Sequence, residues 1–501
     1  MDQRLVVEII QRRFEQQPEG GMLRVRLYLA IRQAILEREL TAGECLPGTR
    51  SLAGELGLGR NTVLWAYDQL LAEGYLVGQS GTGTFVSGAV RTDKAAPPKR
   101  LIGTRREGIS KRGMLISVNA SSSRIQSGAF MPGVPDVEHF PFKLWNRLIA
   151  RYHGVEHSSL MQYGHGGYGP LKVALAEYLN VTRMMQCSPR QIVIINGSHQ
   201  AFDLCARMLC DHGDRAWLED PGYWGARNVL RAAGLNVEPI PLDERGIAPT
   251  DEHWSATPPR LVMVTPSSQY PTGTVLSLDR RLQLLERAES CGAWIVEDDY
   301  DNELRYHDHP VASLFGLSQS RRVIYLGTFS KVLFPGMRMS YMVVPEDLVE
   351  AFTLGNAELY REGRLAEQAA LAEFIDAGHF TAHIRRMRAI YQERRDALHE
   401  VLDSRLGGLV HSPLTQAGLQ SLYTLNGPAD DVQLAAEALQ RRIVTRPLSI
   451  YYDDPSRAVP GLNLGFAAVP VEVIRTAAAQ LAEVIEAHMT ARRRLGQRPA
   501  A

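Results

Sequence analysis

Seven short apolar runs, at residues 191–196, 215–218, 237–241, 260–265, 293–297, 322–326 and 340–344, recur through the middle of this chain. Helix-spaced apolar residues lie between many of them. Runs this short and this apolar read as strands buried on both faces. Strands that alternate with helices form a mostly parallel sheet between helical layers, an α/β body. In such sheets ligands bind at the loops leaving the carboxyl ends of the strands. Those loops hold the unusual residues of this chain.

The sixth run leads into Gly327-Thr328-Phe329-Ser330-Lys331-Val332-Leu333-Phe334-Pro335-Gly336-Met337-Arg338. One lysine sits among small hydroxyl residues, with an arginine seven positions on. A lysine attacks a carbonyl as a neutral amine, and shelter from water at a strand end favours that form. Thr328, Ser330 and Arg338 are donors suited to a phosphate. Together they suit a Schiff base between Lys331 and pyridoxal phosphate, a cofactor gripped at its aldehyde and its phosphate at once.

Other strand ends agree. Asn196-Gly197-Ser198-His199 is a glycine turn into a helix start, which presents amides and a positive dipole to an anion. Glu219-Asp220-Pro221-Gly222-Tyr223 places Tyr223 to lie against a planar ring. Thr265-Pro266-Ser267-Ser268-Gln269-Tyr270-Pro271-Thr272-Gly273 is a polar, turn-rich loop. In Glu297-Asp298-Asp299-Tyr300-Asp301 four carboxylates surround a tyrosine. They repel unless one faces a cation, and a protonated pyridine nitrogen is such a cation, with the tyrosine hydroxyl near the ring oxygen. Metal binding is the competing reading of this acidic cluster. No histidine or further carboxylate has the spacing for it, so no metal is expected.

The amino-terminal part is built differently. Leu27, Ile31, Ala34 and Ile35 mark an amphipathic helix that Gly43 and Pro47 stop. A second short helix carries Arg50, Leu52, Ala53 and Leu56 and ends at Gly57. A third runs from Arg60 to Glu73 with Gly74 as its left-handed stop. Tyr75-Leu76-Val77, Gly81-Thr82-Gly83 and Thr84-Phe85-Val86 form a hairpin. Three helices and a two-stranded wing make a winged helix-turn-helix. Residues 1–88 hold nine arginines and no lysine against ten acids, so any DNA affinity must come from where the arginines sit.

The expected organisation is a winged helix over 1–88, a linker over 89–125, an α/β body over 126–490 and a basic tail over 491–501. In the linker Arg91, Lys94, Lys99, Arg100, Arg105, Arg106, Lys111 and Arg112 outnumber Asp93 and Glu107, and Pro97-Pro98 and Ser121-Ser122-Ser123 argue against a packed core. It reads equally as a soluble tether and as a basic arm leaning on phosphates. Over the whole chain 55 basic and 55 acidic residues cancel, which singles out no partner. Five scattered cysteines without metal-ligand spacing fit reduced thiols. With no signal-peptide core and no apolar run of membrane-spanning length, a cytoplasmic protein is expected.

The amino-terminal motifs Leu46-Pro47-Gly48-Thr49-Arg50-Ser51-Leu52-Ala53, Gly59-Arg60-Asn61-Thr62-Val63 and Glu73-Gly74-Tyr75-Leu76 resemble the GntR superfamily of bacterial regulators. The order of phosphate turn, aromatic, Pro-Thr-Gly loop, Asp-x-Tyr and lysine resembles fold-type I PLP-dependent aminotransferases. The whole chain thus resembles the MocR subgroup of GntR regulators. That resemblance implies an aminotransferase-like α/β body behind a winged helix-turn-helix, binding operator DNA and a small amine or amino-acid effector as a head-to-tail homodimer. It implies that Arg60, Asn61, Thr62 and Trp65 open the recognition helix, while Arg50, Thr82 and Thr84 touch DNA backbone or minor groove. It implies Lys331 as the Schiff-base lysine, Asp298 at the pyridine nitrogen, Tyr300 at the ring hydroxyl and Tyr223 stacked on the ring. Ser198, His199 through its backbone, Thr328, Ser330 and Arg338 would hold the phosphate, and Tyr163 would reach the phosphate of a neighbouring subunit.

Three departures stand out. Ser268 replaces a histidine common in the subgroup, and Tyr270 stands where catalytic aminotransferases carry asparagine before Pro-Thr-Gly. Asn463 stands where amino-acid aminotransferases carry a carboxylate-binding arginine, which leaves Arg446 as the nearest candidate for an effector carboxylate. The Tyr270 and Asn463 departures favour a regulator over its rival, an active aminotransferase with a DNA-binding appendage.

Overall fold

The computed structural model describes residues 2–18, 20–79, 82–88, 108–118, 128–164, 166–306, 311–318 and 321–496. Its chain divides into two compact units, Met1–Glu107 and Gly108–Ala501. Most of the basic stretch at 89–125 lies outside the described residues, as do Gly81 in the hairpin turn and residues 497–501 of the basic tail. Within that stretch Lys111–Val118 is a helix.

In the first unit α1 (Gln3–Glu15) precedes α2 (Leu23–Leu36), α3 (Thr49–Glu55) and α4 (Arg60–Ala72). The wing is a three-stranded sheet in which β3 (Gly83–Val86) pairs with both β2 (Leu76–Gln79) and β1 (Cys45–Leu46). The helix ends lie where the glycines put them: Gly57 and Gly74 take the left-handed conformation, at φ 64° and 78°. One core holds the unit together, with Leu27, Ile31, Leu52, Val63 and Leu70 fully buried. Two elements exceed the sequence expectation. Helix α1 buries Val6, Ile9 and Ile10 in that core, a spacing legible in the sequence but not read there. Strand β1 has only two residues, too short to leave a pattern.

The second unit carries all seven expected strands: β4 (Ile192–Ile195), β5 (Arg215–Asp220), β6 (Asn236–Asp243), β8 (Leu261–Val264), β9 (Trp294–Asp298), β10 (Val323–Thr328) and β11 (Ser340–Val343), with a two-residue β7 (Gly246–Ile247) added after β6. They form one sheet in the order β4-β11-β10-β9-β8-β5-β6-β7. The neighbours from β10 to β6 are parallel, while β11 runs antiparallel to β10 and to β4. Every residue of β4, β8, β9 and β11 is buried, as a sheet covered on both faces requires. Successive residues feed different cores: Ile192 and Ile194 join one cluster, Val193 and Ile195 another.

A second, antiparallel sheet comes later, in the order β12 (Val410–His411), β13 (Gln420–Leu425), β15 (Gly461–Gly465) and β14 (Arg446–Pro447). The helices His379–Leu406 and Val471–Gly496 pack together in the same unit. The sequence gives this sheet little voice. Its strands are short, and Gly461-Leu462-Asn463-Leu464-Gly465 has no β-branched residue. Among the described residues no helix is long and apolar enough to cross a membrane.

Candidate functional site

The carboxyl ends of β4, β5, β8, β9 and β10 converge on one cavity of about 460 Å³. Its lining includes Ser198, His199, Tyr223, Asp298, Tyr300, Thr328, Ser330, Lys331, Arg338 and Arg446, residues from five separate stretches of sequence. Of the residues singled out for a cofactor, only Tyr163 lies elsewhere, on the surface at 76% exposure.

Lys331 follows β10 and donates to the Gly133 carbonyl at 2.7 Å. Burial lowers its basicity, and Asp301 and Asp298 partly restore it. The acceptor belongs to Met131-Pro132-Gly133, a stretch to which sequence reasoning assigned no role. Thr328 and Ser340 join the ends of β10 and β11 through a 2.7 Å hydroxyl contact, Ser340 Oγ donating. The Ser330 amide also donates to Thr328 Oγ1, at 3.2 Å. Ser198 opens the helix Ser198–Leu209, whose N-cap, Gly197, has φ 114°. The Arg338 guanidinium lies against that glycine.

The acidic cluster resolves by strand alternation. Glu297 turns away from the cavity and accepts from the amides of Leu314 and Phe315 at 2.9 and 3.0 Å. Asp299, also turned away, pairs with buried Arg183 at 2.8 Å and accepts from the Tyr325 hydroxyl at 2.7 Å. Asp298, between them, faces the cavity. Burial and the nearby Asp299 push it up to about 7. Burial and the Asp301 charge raise the Tyr300 phenol, and Ser268, the serine noted as a departure, lowers it in part. Among the described residues no group of three or more histidines, cysteines or acids is arranged to hold a metal ion.

Beneath the cavity Glu219 clasps two strand-end loops. It accepts from the Thr265 hydroxyl and amide at 2.6 and 3.2 Å and from Gln269 Nε2 at 3.3 Å. Burial pushes it up to about 7. Sequence reasoning missed this clasp, because its members lie 46–50 positions apart.

At the far wall Asn463 is fully buried and does not line the cavity. Its Nδ2 donates to the Tyr451 hydroxyl at 3.2 Å, which meets the Tyr270 hydroxyl at 3.0 Å. Tyr270 and Asn463, two of the three departures, thus belong to one relay. Arg446, paired across the sheet with Asn463, reaches the cavity from the neighbouring strand.

In the first unit Arg50, Arg60, Asn61 and Thr82 are exposed and Thr62, Trp65 and Thr84 half-buried. Arg60, Asn61 and Thr62 form the first turn of α4, and the Tyr67 hydroxyl anchors that helix to the Pro47 carbonyl at 2.8 Å. Trp65 packs back onto α2, edge-on to Tyr28 and beneath the Arg24 guanidinium, 5.0 Å from its ring centre. Thr82 donates to the Gln79 carbonyl at 3.3 Å.

Comparison with known proteins adds a lineage to this geometry. The family model for aminotransferase class I and II matches residues 138–481, and that for bacterial regulatory proteins of the gntR family matches residues 23–86. The probable rhizopine catabolism regulatory protein MocR of Rhizobium meliloti is 39% identical over 457 residues, covering 90% of this chain and 91% of its own. Two solved structures are similar to the second unit. The multiple substrate aminotransferase of Thermococcus profundus gives a TM-score of 0.68 at 27% identity, over 76% of this chain and 98% of that one. The kynurenine aminotransferase of Pyrococcus horikoshii, in complex with PMP, gives 0.67 at 27%, over 75% and 94%.

The residues present fit pyridoxal phosphate. A Cβ at Gly133 would lie 2.9 Å from Lys331 Nζ, and one at Gly197 3.1 Å from an Arg338 nitrogen, so both glycines keep the cradle open. A buried carboxylate at Asp298, facing the cavity, suits a pyridine nitrogen.

Proposed function

The chain belongs to the MocR-type regulators, in which a GntR helix-turn-helix unit precedes a class I and II aminotransferase domain, and on that premise we propose that its cavity senses a small amine or amino-acid-like effector through Lys331. The protein is a DNA-binding transcriptional regulator whose cofactor is pyridoxal phosphate. The bound cofactor supplies an aldehyde that condenses reversibly with primary amines.

One observation carries the sensing proposal: Lys331 shares a single cavity with Asp298, Tyr223 and Arg338. Lys331, less basic through burial, would hold the cofactor's aldehyde and yield it to an incoming amine, and Asp301 and Asp298 beside it favour a proton on the freed nitrogen. Asp298 would hold the pyridine nitrogen, Tyr300 the ring hydroxyl and Tyr223 the ring face. Ser198, the His199 backbone, Thr328, Ser330 and Arg338 would hold the phosphate. Arg446 takes the effector's carboxylate where it has one. In the other unit Arg60, Asn61 and Thr62 read bases or phosphates, with Arg50, Thr82 and Thr84 on the backbone and Trp65 steadying α4 from behind. The working form is a cytoplasmic head-to-tail homodimer in which exposed Tyr163 reaches across to the neighbouring site.

A second reading, an active aminotransferase, is favoured by the completeness of the same cavity. Burial of Asn463 argues against it, because an effector cannot touch that residue. The test follows visible cofactor absorbance and binding to a selected operator duplex together, during titration with small amines and amino acids. The expected result is an amine that alters both in wild type and neither in Lys331→Ala. An equal DNA response in that variant overturns the reading. Steady conversion of the amine to a keto product with 2-oxoglutarate favours the enzyme.

A further inference from the structure

Tyr223 is a wall of the cofactor cavity, and the far side of that wall is not solvent-facing core but a second, more open groove. His199 lines both spaces. Its Nε2 lies 2.8 Å from the Tyr223 hydroxyl, with the two rings 5.8 Å apart. Gly225, in the first turn of the helix Trp224–Ala232, completes the partition. A Cβ there would stand 2.4 Å from the Tyr223 ring and 2.6 Å from its hydroxyl oxygen, so the phenol lies directly on the glycine. Gly225 also lines the groove. The Tyr223 and His199 side chains and the Gly225 backbone thus stand between the two spaces.

The groove has an occupant on its rim. Arg112 and Ile116 of the helix Lys111–Val118 line it, and that helix packs against Trp224–Ala232. The helix lies near the start of the second unit, on the chain that leads from the DNA-binding unit. A shift of Tyr223 toward the helix Trp224–Ala232 presses on Gly225 or displaces His199, and both line the groove beside the helix Lys111–Val118.

We propose that His199 is a positioning residue that ties the Tyr223 ring in the cofactor cavity to the docking of the helix Lys111–Val118 in the groove behind it. The proposal rests on the cofactor-sensing reading above and gives it a physical route. The imidazole is held neutral by burial and by the neighbouring Arg338 charge. A neutral ring accepts at one nitrogen and donates at the other, so it can fix the tyrosine hydroxyl in one orientation. An anion on Arg338 offsets that charge, which brings cofactor loading to bear on the same hydrogen bond.

Hydrogen exchange of the full-length protein, with and without pyridoxal phosphate, reads the docking directly. In wild type the cofactor is expected to slow exchange of the 111–118 amides by roughly fivefold or more, the low end of ordinary site-to-site coupling. His199→Leu and Tyr223→Phe, compared with wild type at cofactor concentrations that give equal occupancy by visible absorbance, should lose most of that slowing. His199→Gln, which keeps a hydrogen-bonding end, should retain it. Gly225→Ala should shift the bound cofactor's absorbance or circular dichroism and lose the slowing, without any change to a charged group. Equal slowing in wild type, His199→Leu and Tyr223→Phe overturns the proposal, as does no slowing in wild type with cofactor visibly bound. Failure of wild type to bind cofactor at all removes the sensing reading itself, and this inference with it.

Discussion

The two units handle charge in opposite ways. In the first, Arg13 and Arg12 meet Glu39 at 2.7 Å each on the surface, with Glu37 beside them. Hydrogen bonds to those arginines and to Gln33 hold Glu37 and Glu39 below the usual carboxylate range. In the second, Glu219, Glu297 and Asp298 sit at or near zero exposure and are pushed up to about 7 by burial. A surface pair costs little to hold and gives little back. A buried group is held at high cost by a fixed set of partners, and removing one partner strands the rest. The first unit reads a polyanion that comes to its surface; the second must build an interior suited to one small molecule.

The largest expected effect breaks the buried side of that contrast. Arg183 is 2% exposed and pairs with Asp299 beneath the cavity floor. Arg183→Ala strands that carboxylate and should destabilise the second unit by about 3–5 kcal/mol, seen as loss of its calorimetric transition while that of the first unit persists. A loss under 1 kcal/mol would mean that the interior charges are no costlier than surface ones.

Titration should separate the units next. A carboxyl group whose folded pKa is raised binds its proton longer than the unfolded chain does. The stability it contributes therefore falls as pH rises from about 4.5 to about 7. Buried His199, His383 and His399 are lowered and act in the opposite sense, so a difference measurement is needed. Relative to wild type, Glu219→Gln should gain stability across that window, by at most about 3 kcal/mol. In the first unit Glu37 and Glu39 are lowered. Their contribution is present above about 4.5 and is lost only as pH falls further. Flat chemical-denaturation differences between pH 5 and 7 for Glu219→Gln would place that carboxyl in water.

How far the sequence anticipated each region follows from the same contrast. The helix starts and stops at Gly57, Arg60 and Gly74 are local signals, so the winged helix was readable residue by residue. The strands carrying the cofactor loops were readable too, since burial on both faces leaves continuous apolar runs. Illegible were contacts between distant loops: Lys331 with Gly133, Glu219 with Thr265 and Gln269, Asn463 with Tyr451. The acidic cluster looked like one site, but the two-residue period of a strand sends Glu297 and Asp299 one way and Asp298 the other. The two-residue strands β12 and β14 held too few residues for any period to show.

On the surface side, Arg60→Ala should weaken operator binding by about 1–3 kcal/mol and blur base preference if the side chain reads a base. Binding measured over a set of single-base operator variants checks this, and unchanged selectivity would move recognition off α4. Arg13→Ala tests the other surface charges. Despite two good contacts to Glu39 and Glu37, its loss should cost the first unit no more than about 1 kcal/mol, and less as salt is raised. A cost near that of Arg183→Ala would erase the distinction between the units.

The smallest effect is the most local. Gly48 and Gly59 occupy the N-caps of α3 and α4 with no side-chain cap, at φ −58° and −67°. Neither angle needs glycine. A Cβ at Gly48 meets nothing within 4 Å, and one at Gly59 only Thr62 Oγ1 at 3.8 Å. A serine at either position can accept from the bare amides of the next turn, worth a few tenths of a kcal/mol over glycine. Each substitution should therefore raise the melting temperature of the first unit by roughly 1–3 °C. Their effects on DNA should differ. If the amide end of α4 points at a phosphate, a serine at 59 competes for the same N–H groups. Gly59→Ser would then stabilise the unit and weaken operator binding, while Gly48→Ser stabilises it and acts differently at the operator. Equal affinities for Gly59→Ser and wild type would show that α4 meets DNA through its side chains alone, leaving its backbone end to solvent.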